Sequence, residues 1–234
     1  MLVFARYRRM RHIEFESAGA FLLQKLFQGE TMKKILIVIA LSGMLIPTIA
    51  SAELNYNAVN VGYAKVSQTG WADLTGYDFG VSYGITKNVF LEGSYGTGSQ
   101  PSGTTLGDIT VSGFDVGAGY HTPIQNDVDF IVGAHLIQGT AKFAGLSYNS
   151  NGYDVGVGIR AELTPKFEAI LSGVHTNVTS NSSTTTSNGM QAEVGFKVTP
   201  EVQLLAGIAS DSNSPQTGSS YTTQTIHFGA RFYY

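Results

Sequence analysis

An all-β fold, a closed antiparallel barrel of about ten strands, is predicted by three features of this 234-residue sequence. The first is period-2 alternation that runs to the last residue. Ile226, Phe228, Ala230, Phe232 and Tyr234 are apolar or aromatic, whereas Thr225, His227, Gly229, Arg231 and Tyr233 between them are mostly polar or small. Such alternation marks a half-buried strand. A soluble chain rarely ends on an exposed aromatic strand, because a bare apolar edge aggregates. A barrel closed in a membrane needs its last strand to face lipid and pair with its first. The second feature is repetition of the same alternation between regularly spaced turns. The third is that no stretch after residue 52 approaches the 18 or so apolar residues of a helical span, so strands are the only way across a membrane.

The turns set the strand count. Short turns are expected at 84–88, 122–127, 164–166 and 199–201, with threonines at 86, 122, 164 and 199 spaced 36, 42 and 35 residues apart. Pro123, Pro165 and Pro200 lack an N–H to donate and are expected to end strand pairing there. Longer polar loops are expected near 67–74, 98–108, 142–151, 177–188 and 211–222. Four turns alternating with five loops make ten strands, with both chain ends on one side. Short turns on one rim and longer loops on the other are the build of a membrane barrel, the turns being periplasmic.

Each strand is expected to have one greasy face and one glycine, polar or charged face. Tyr77, Phe79, Val81 and Tyr83 alternate with Asp78, Gly80 and Ser82. Phe114, Val116, Ala118 and Tyr120 alternate with Asp115, Gly117, Gly119 and His121, and Tyr153 through Leu163 with Asp154, Gly156, Gly158, Arg160 and Glu162. A soluble sandwich also alternates, and an exported soluble barrel or sandwich is the competing fold. Aromatic placement separates the two. Tyr77/Tyr83, Phe114/Tyr120 and Phe228/Tyr234 are each six residues apart on the apolar face, about 20 Å along a strand. With Tyr153 they predict two aromatic girdles bounding a lipid-facing band.

At the other end, Met32, Lys33 and Lys34 give a basic start, 35–46 an apolar run, and Ala50, Ser51 and Ala52 a small-residue pattern. Residues 32–52 are expected to be a secretory signal peptide cut between Ala52 and Glu53, since the apolar run is too short to anchor. Residues 1–31 precede the basic start of that signal. The segment 28–32 can be encoded with a purine-rich ribosome-binding site just before an ATG, which points to translation starting at Met32 and a mis-annotated upstream extension over 1–31; an extended signal peptide is the alternative. The barrel domain is then 53–234.

Charge and cysteine narrow the function. The segment 53–234 has seven Lys/Arg against fourteen Asp/Glu. An acidic chain without a basic stripe argues against a nucleic-acid partner. The absence of cysteine removes disulfides, thiol catalysis and Cys-ligated metals.

The signal peptide, the first strand with Tyr63, Ala64 and Lys65, the repeated hairpins, the run 163–168 (Leu-Thr-Pro-Lys-Phe-Glu) and the aromatic terminus resemble the small bacterial outer-membrane β-barrel proteins, the OmpA-barrel, OmpX and opacity-protein group. The best-known members of that group have eight strands, which is the alternative count here. The resemblance implies residence in the bacterial outer membrane and contact with its lipid and lipopolysaccharide. It also implies recognition by the barrel assembly machinery of a terminal signal on Ile226, Phe228, Ala230, Phe232 and Tyr234.

Asp78, Glu92, Asp115, Asp129, His135, Asp154, Arg160, Glu162, Glu193, Lys197 and Arg231 are expected in the lumen. Buried charges must pair or be hydrogen-bonded, so an ion-pair network filling the barrel is favoured over a polar path. The function expected is structural or surface-interacting, adhesion-like and non-enzymatic, with Ser/Thr/Asn/Gly-rich loops offering a surface to a ligand. A narrow or gated porin for small solutes is the alternative. An outer-membrane lipase or acyltransferase is the least favoured reading. It would rest on His175 near Ser180, Ser182 and Ser183, but position 177 is Asn where the lipid A deacylase pattern has Ser. Long extracellular strand extensions of the omptin-protease kind are not expected. The four histidines after residue 53 have no metal-ligand spacing, and no cofactor is expected.

Overall fold

The structure is a computed structural model that describes residues 57–68, 72–101, 108–125, 128–180 and 183–234, all within the compact unit formed by residues 37–234. The expected upstream extension over 1–31, the expected signal peptide with its cut at Ala52/Glu53, and Ser182 lie outside the described residues. Ten strands follow one another: β1 (Ala58–Gln68), β2 (Leu74–Gly84), β3 (Val89–Gln100), β4 (Ile109–Gln125), β5 (Val128–Phe143), β6 (Leu146–Thr164), β7 (Phe167–Ser180), β8 (Ser183–Lys197), β9 (Val202–Pro215) and β10 (Tyr221–Tyr233). Each pairs antiparallel with its sequence neighbour, and β10 closes on β1 to complete a barrel. Closure satisfies every strand edge, which is why such a sheet can live in lipid. The seam runs from Ala58 opposite Tyr233 to Gln68 opposite Thr223, and the Tyr234 N–H donates to Asn57 O at 3.0 Å.

The apolar faces point outward. Tyr77, Tyr83, Phe114, Tyr120, Tyr153, Ile226, Phe228, Phe232 and Tyr234 are all exposed on the outer wall, Tyr77 at 69%. Tyr63 sits directly opposite both Tyr77 and Phe228, and its ring meets that of Tyr77 edge to face at 5.4 Å. At the turn rim Phe167 and Phe196 pair at 5.1 Å. An aromatic ring on an outer wall costs too much in water to recur on strand after strand. In lipid it costs nothing.

Three expectations are corrected. The stretches 142–151 and 177–188 are mainly strand, not loop. β5 and β6 continue to a two-residue connection at 144–145, while β7 runs to Ser180 and β8 starts at Ser183. Ala144 and Gly145 have φ of 52° and 76°, the left-handed pair that a tight hairpin with the right twist requires. β6 thus has 19 residues and β5 16, against the roughly 9–11 that cross a bilayer. The strand extensions not expected here are present at the loop rim. Ser, Thr and Asn read as loop formers, yet a hydroxyl or amide also suits a solvated strand face.

Pro123, expected to end pairing, lies within β4 opposite Asp129, with a register shift between Pro123 and Gln125. The missing N–H is tolerated because the ladder is already irregular at that rim. The inner face is also less polar than expected. Phe90 and Ile131 toward the turn rim, Ile137 in between, and Val66, Leu74 and Ile109 toward the loop rim are buried on the inward side of their strands, so apolar side chains fill part of the lumen at both ends.

Candidate functional site

The charged lumen residues gather into two clusters. The larger lies toward the turn rim and crosses the barrel. Arg231 on β10 is fully enclosed at 0% exposure, and Arg160 on β6 and Glu168 on β7 are each at 1%. Arg231 Nε donates to Asn60 Oδ1 at 2.9 Å and Nη1 to Gln203 Oε1 at 3.0 Å, while Nη2 donates to Glu193 Oε1 at 3.3 Å. Its Nη1 also lies 3.6 Å from Glu168 Oε1. Arg160 pairs with the other side of Glu168. Tyr233 stands between the guanidinium groups, 3.3 Å from Arg231 Nη1 and 3.4 Å from Arg160 Nη2, and donates to Gln203 Oε1 at 3.1 Å. Glu193 is bound on its second oxygen by His227 Nε2 at 2.9 Å. A guanidinium offers five donors in a planar fork, which lets Arg231 tie four neighbours from β1, β7, β8 and β9 into one network.

The second cluster lies across β3 to β6. The ring nitrogens of His135 are 2.7 Å from Asp154 Oδ1 and 3.2 Å from Glu92 Oε2. Asp115 accepts from the Ser94 hydroxyl. Nearer the turn rim, His121 Nδ1 is 3.7 Å from Asp129 Oδ2 and its ring lies 6.2 Å from that of Phe90. Lys197 and Glu162 pair at 3.1 Å, partly exposed. Asp78 is half-buried on the inner wall beside Gly62, where an added Cβ would meet its carboxylate carbon at 3.0 Å.

Strand register explains why glycine is needed here. Glu92, Gly117, His135 and Asp154 are consecutive partners across β3, β4, β5 and β6. Strands two apart are separated by about 10 Å, so Glu92 and His135 can meet only by reaching over the strand between them. A Cβ on Gly117 would come within 2.7 Å of His135 Cγ. The other cluster repeats this grammar with Glu193, Gly207 and His227 in one row. Gly117→Val is expected to lower stability by about 1–3 kcal/mol through overpacking, read as a lower urea midpoint. Gly173→Ala, on the outer wall with its nearest neighbour at 3.8 Å, is expected to leave it unchanged.

Several network members escaped the sequence reading. Glu168 shares its parity with Ile170 and Ser172, and that mixed inner face hid it. Gln203, Asn60, Ser94 and Tyr233 are uncharged and gave no signal until register brought them to a charge. At the loop rim, outside the lumen, Lys65 and Asp73 pair at 2.7 Å. The hydrogen bonds from Lys65 and Ser67 hold the Asp73 carboxyl below its ordinary range.

Among the described residues, those of the enzyme reading are not assembled. His175 points to the outer wall and its Nδ1 lies 2.9 Å from Asn188 Oδ1, an amide rather than an orienting carboxylate. Ser180 is on the inner wall and donates to Asn149 O at 3.2 Å. Among the described residues no group of three or more His, Asp or Glu is placed to hold a metal ion.

The chain is similar in fold to an outer-membrane channel from Pseudomonas putida F1, with 11% identity, 79% of this chain and 100% of that one covered, and a TM-score of 0.50. It is also similar to Neisserial surface protein A, at 19% identity over 80% of this chain and 100% of that one, with a TM-score of 0.43. A third resemblance is to the attachment invasion locus protein of Yersinia pestis, at 14% identity over 76% and 100%, with a TM-score of 0.35. No curated protein sequence matches. Residues 36–197 match the family model of the outer membrane protein beta-barrel domain. Ten closed strands, an aromatic outer wall, an ion-paired interior and that match together place the chain in the outer-membrane β-barrel family, as an integral protein of the bacterial outer membrane.

Proposed function

We propose that this barrel is a non-enzymatic structural and surface-interaction protein whose lumen is shut to solutes. The observation that carries the reading is the enclosed network of Arg160, Glu168, Glu193 and Arg231, which spans the lumen at the turn rim with no exposed arginine. Side chains fill a barrel of this size rather than leaving a channel. Removing a guanidinium from such a network strands its carboxylates, so thermal opening there is costly. The strand extensions at the other rim then present hydroxyls and amides to the cell exterior, beyond the lipid and lipopolysaccharide. Export on the 32–52 leader and delivery to the assembly machinery through the terminal strand complete the proposal.

Planar-bilayer recording tests it. The wild-type protein is expected to give no steady conductance. Arg231→Ala, if it inserts, is expected to give brief irregular openings as the network loosens. Reproducible wild-type conductance that rises in Arg160→Ala would support the gated-porin reading instead.

A further inference from the structure

The outer wall carries an open hollow of about 420 Å3 where the apolar band gives way to the polar strand extensions. Register builds it. Tyr95, Phe114, Gln138 and Asn151 are successive partners across β3, β4, β5 and β6, and Thr140 and Asn149 face each other in the next outward row toward the loop rim. The rings of Tyr95 and Phe114 form one flank, both exposed. On the other flank the Thr140 hydroxyl donates to Asn149 Oδ1 at 3.0 Å. Large rings on β3 and β4 beside shorter side chains on β5 and β6 leave the depth between them.

The surroundings say what chemistry fits. Toward the turn rim the next outward row holds Val116, Leu136 and Tyr153, all exposed on the lipid-facing wall. Along β5 the outward side chains read Val132, Ala134 and Leu136, then Gln138 and Thr140, apolar for about 14 Å and polar for about 7 Å beyond. That gradient suits an amphiphile, because a chain lying on the apolar stretch brings its headgroup into the hollow. Among the described residues no charged side chain lines the hollow, so a bare phosphate headgroup would find no counter-charge there. A sugar ring carries C–H groups on its faces and hydroxyls around its edge. Aromatic faces match the first, and carboxamides and hydroxyls that donate and accept match the second. The volume falls within the roughly 300–1,000 Å3 of small-ligand sites. With the short turns periplasmic, the loop-rim end of the outer wall lies in the outer leaflet.

We propose that this hollow seats the sugar headgroup of an outer-leaflet glycolipid. Tyr95 and Phe114 stack on the sugar, Gln138, Thr140, Asn149 and Asn151 bond its hydroxyls, and the acyl chains lie over Ala134 and Leu136. A second outer hollow, of about 410 Å3 between Leu171, Met190, Ile208 and Ile226, has no aromatic ring in its lining and serves as the internal control. The site goes beyond the closed-lumen reading and rests only on residence in the outer membrane.

Native mass spectrometry of the full protein, refolded in micelles of a sugar-free detergent, tests the site. Short-core lipopolysaccharide, phosphatidylethanolamine and the acyl-free core oligosaccharide are each titrated in. One retained copy of lipopolysaccharide is expected, bound at least tenfold more tightly than phosphatidylethanolamine or the free oligosaccharide. Gln138→Ala/Asn151→Ala is expected to weaken it tenfold or more, and Ala192→Leu, which fills the control hollow, to leave it unchanged. Retained heat-modifiable migration on gels shows that each variant is folded. The site is overturned if phosphatidylethanolamine binds as tightly, the mark of ordinary boundary lipid, or if the double variant binds like wild type. It is also overturned if Ala192→Leu weakens binding as much, or if the free oligosaccharide binds as tightly as the glycolipid. Bilayer conductance reads the lumen and not the outer wall, so failure of either reading leaves the other standing.

Discussion

Arg231→Ala is expected to destabilise the barrel by about 3–5 kcal/mol, the cost of leaving buried charges without their partner. The guanidinium is fully enclosed and stands between Glu168 and Glu193, while its Nε and Nη1 hold Asn60 and Gln203. Its removal leaves Glu193 with His227 alone and Glu168 with Arg160 alone. Urea unfolding in micelles or vesicles would show a large fall in midpoint at unchanged slope, the mark of lost stability rather than altered compactness. Arg231→Lys is expected to fall between, because an ammonium keeps the charge and loses the planar fork. A midpoint change in Arg231→Ala worth less than about 0.5 kcal/mol, the scale of a surface substitution, would mean that the network is decorative.

Deleting Phe232, Tyr233 and Tyr234 is expected to reduce outer-membrane assembly by about tenfold or more, because an unclosed edge cannot be satisfied in lipid. The deletion removes the rungs that pair Val59 with Phe232 and Ala58 with Tyr233, the Tyr234 bond to Asn57, and two exposed outer aromatics. It also removes the Tyr233 hydroxyl from between Arg160, Arg231 and Gln203. Tyr233→Phe separates these effects, since it keeps the strand and loses only the hydroxyl. That variant is expected to assemble normally with a modest fall in urea midpoint. Normal membrane fractionation and heat-modifiable migration of the truncated chain would refute the role given to the terminus, both as closing strand and as assembly signal.

Much of this architecture could be read before any coordinates. Alternation with a period of two is a local property, so Tyr77 against Asp78 or Phe114 against Asp115 assigns outer and inner faces one strand at a time. Proline and glycine punctuation located the turns at 84–88, 164–166 and 199–201 to within a residue or two, because turn geometry is also local. Strand limits at the loop rim were not legible in the same way. The residues of 142–151 and 177–188 have polar side chains compatible with loop or strand, and it is pairing with a neighbour, Lys142 with Ser147 or Asn177 with Thr186, that makes them strand.

The interior followed the same division. Residue-by-residue alternation was enough for the all-β class, a count of about ten strands and the outward aromatics, since each rests on side-chain parity within a few residues. That Glu92 meets His135 over Gly117, and that Glu168 is shared by two arginines from strands far apart in the chain, emerges only in the closed barrel. Those outcomes depend on inter-strand register and on which strands closure brings face to face. Both are set by the packing of the whole barrel, and no local pattern encodes them.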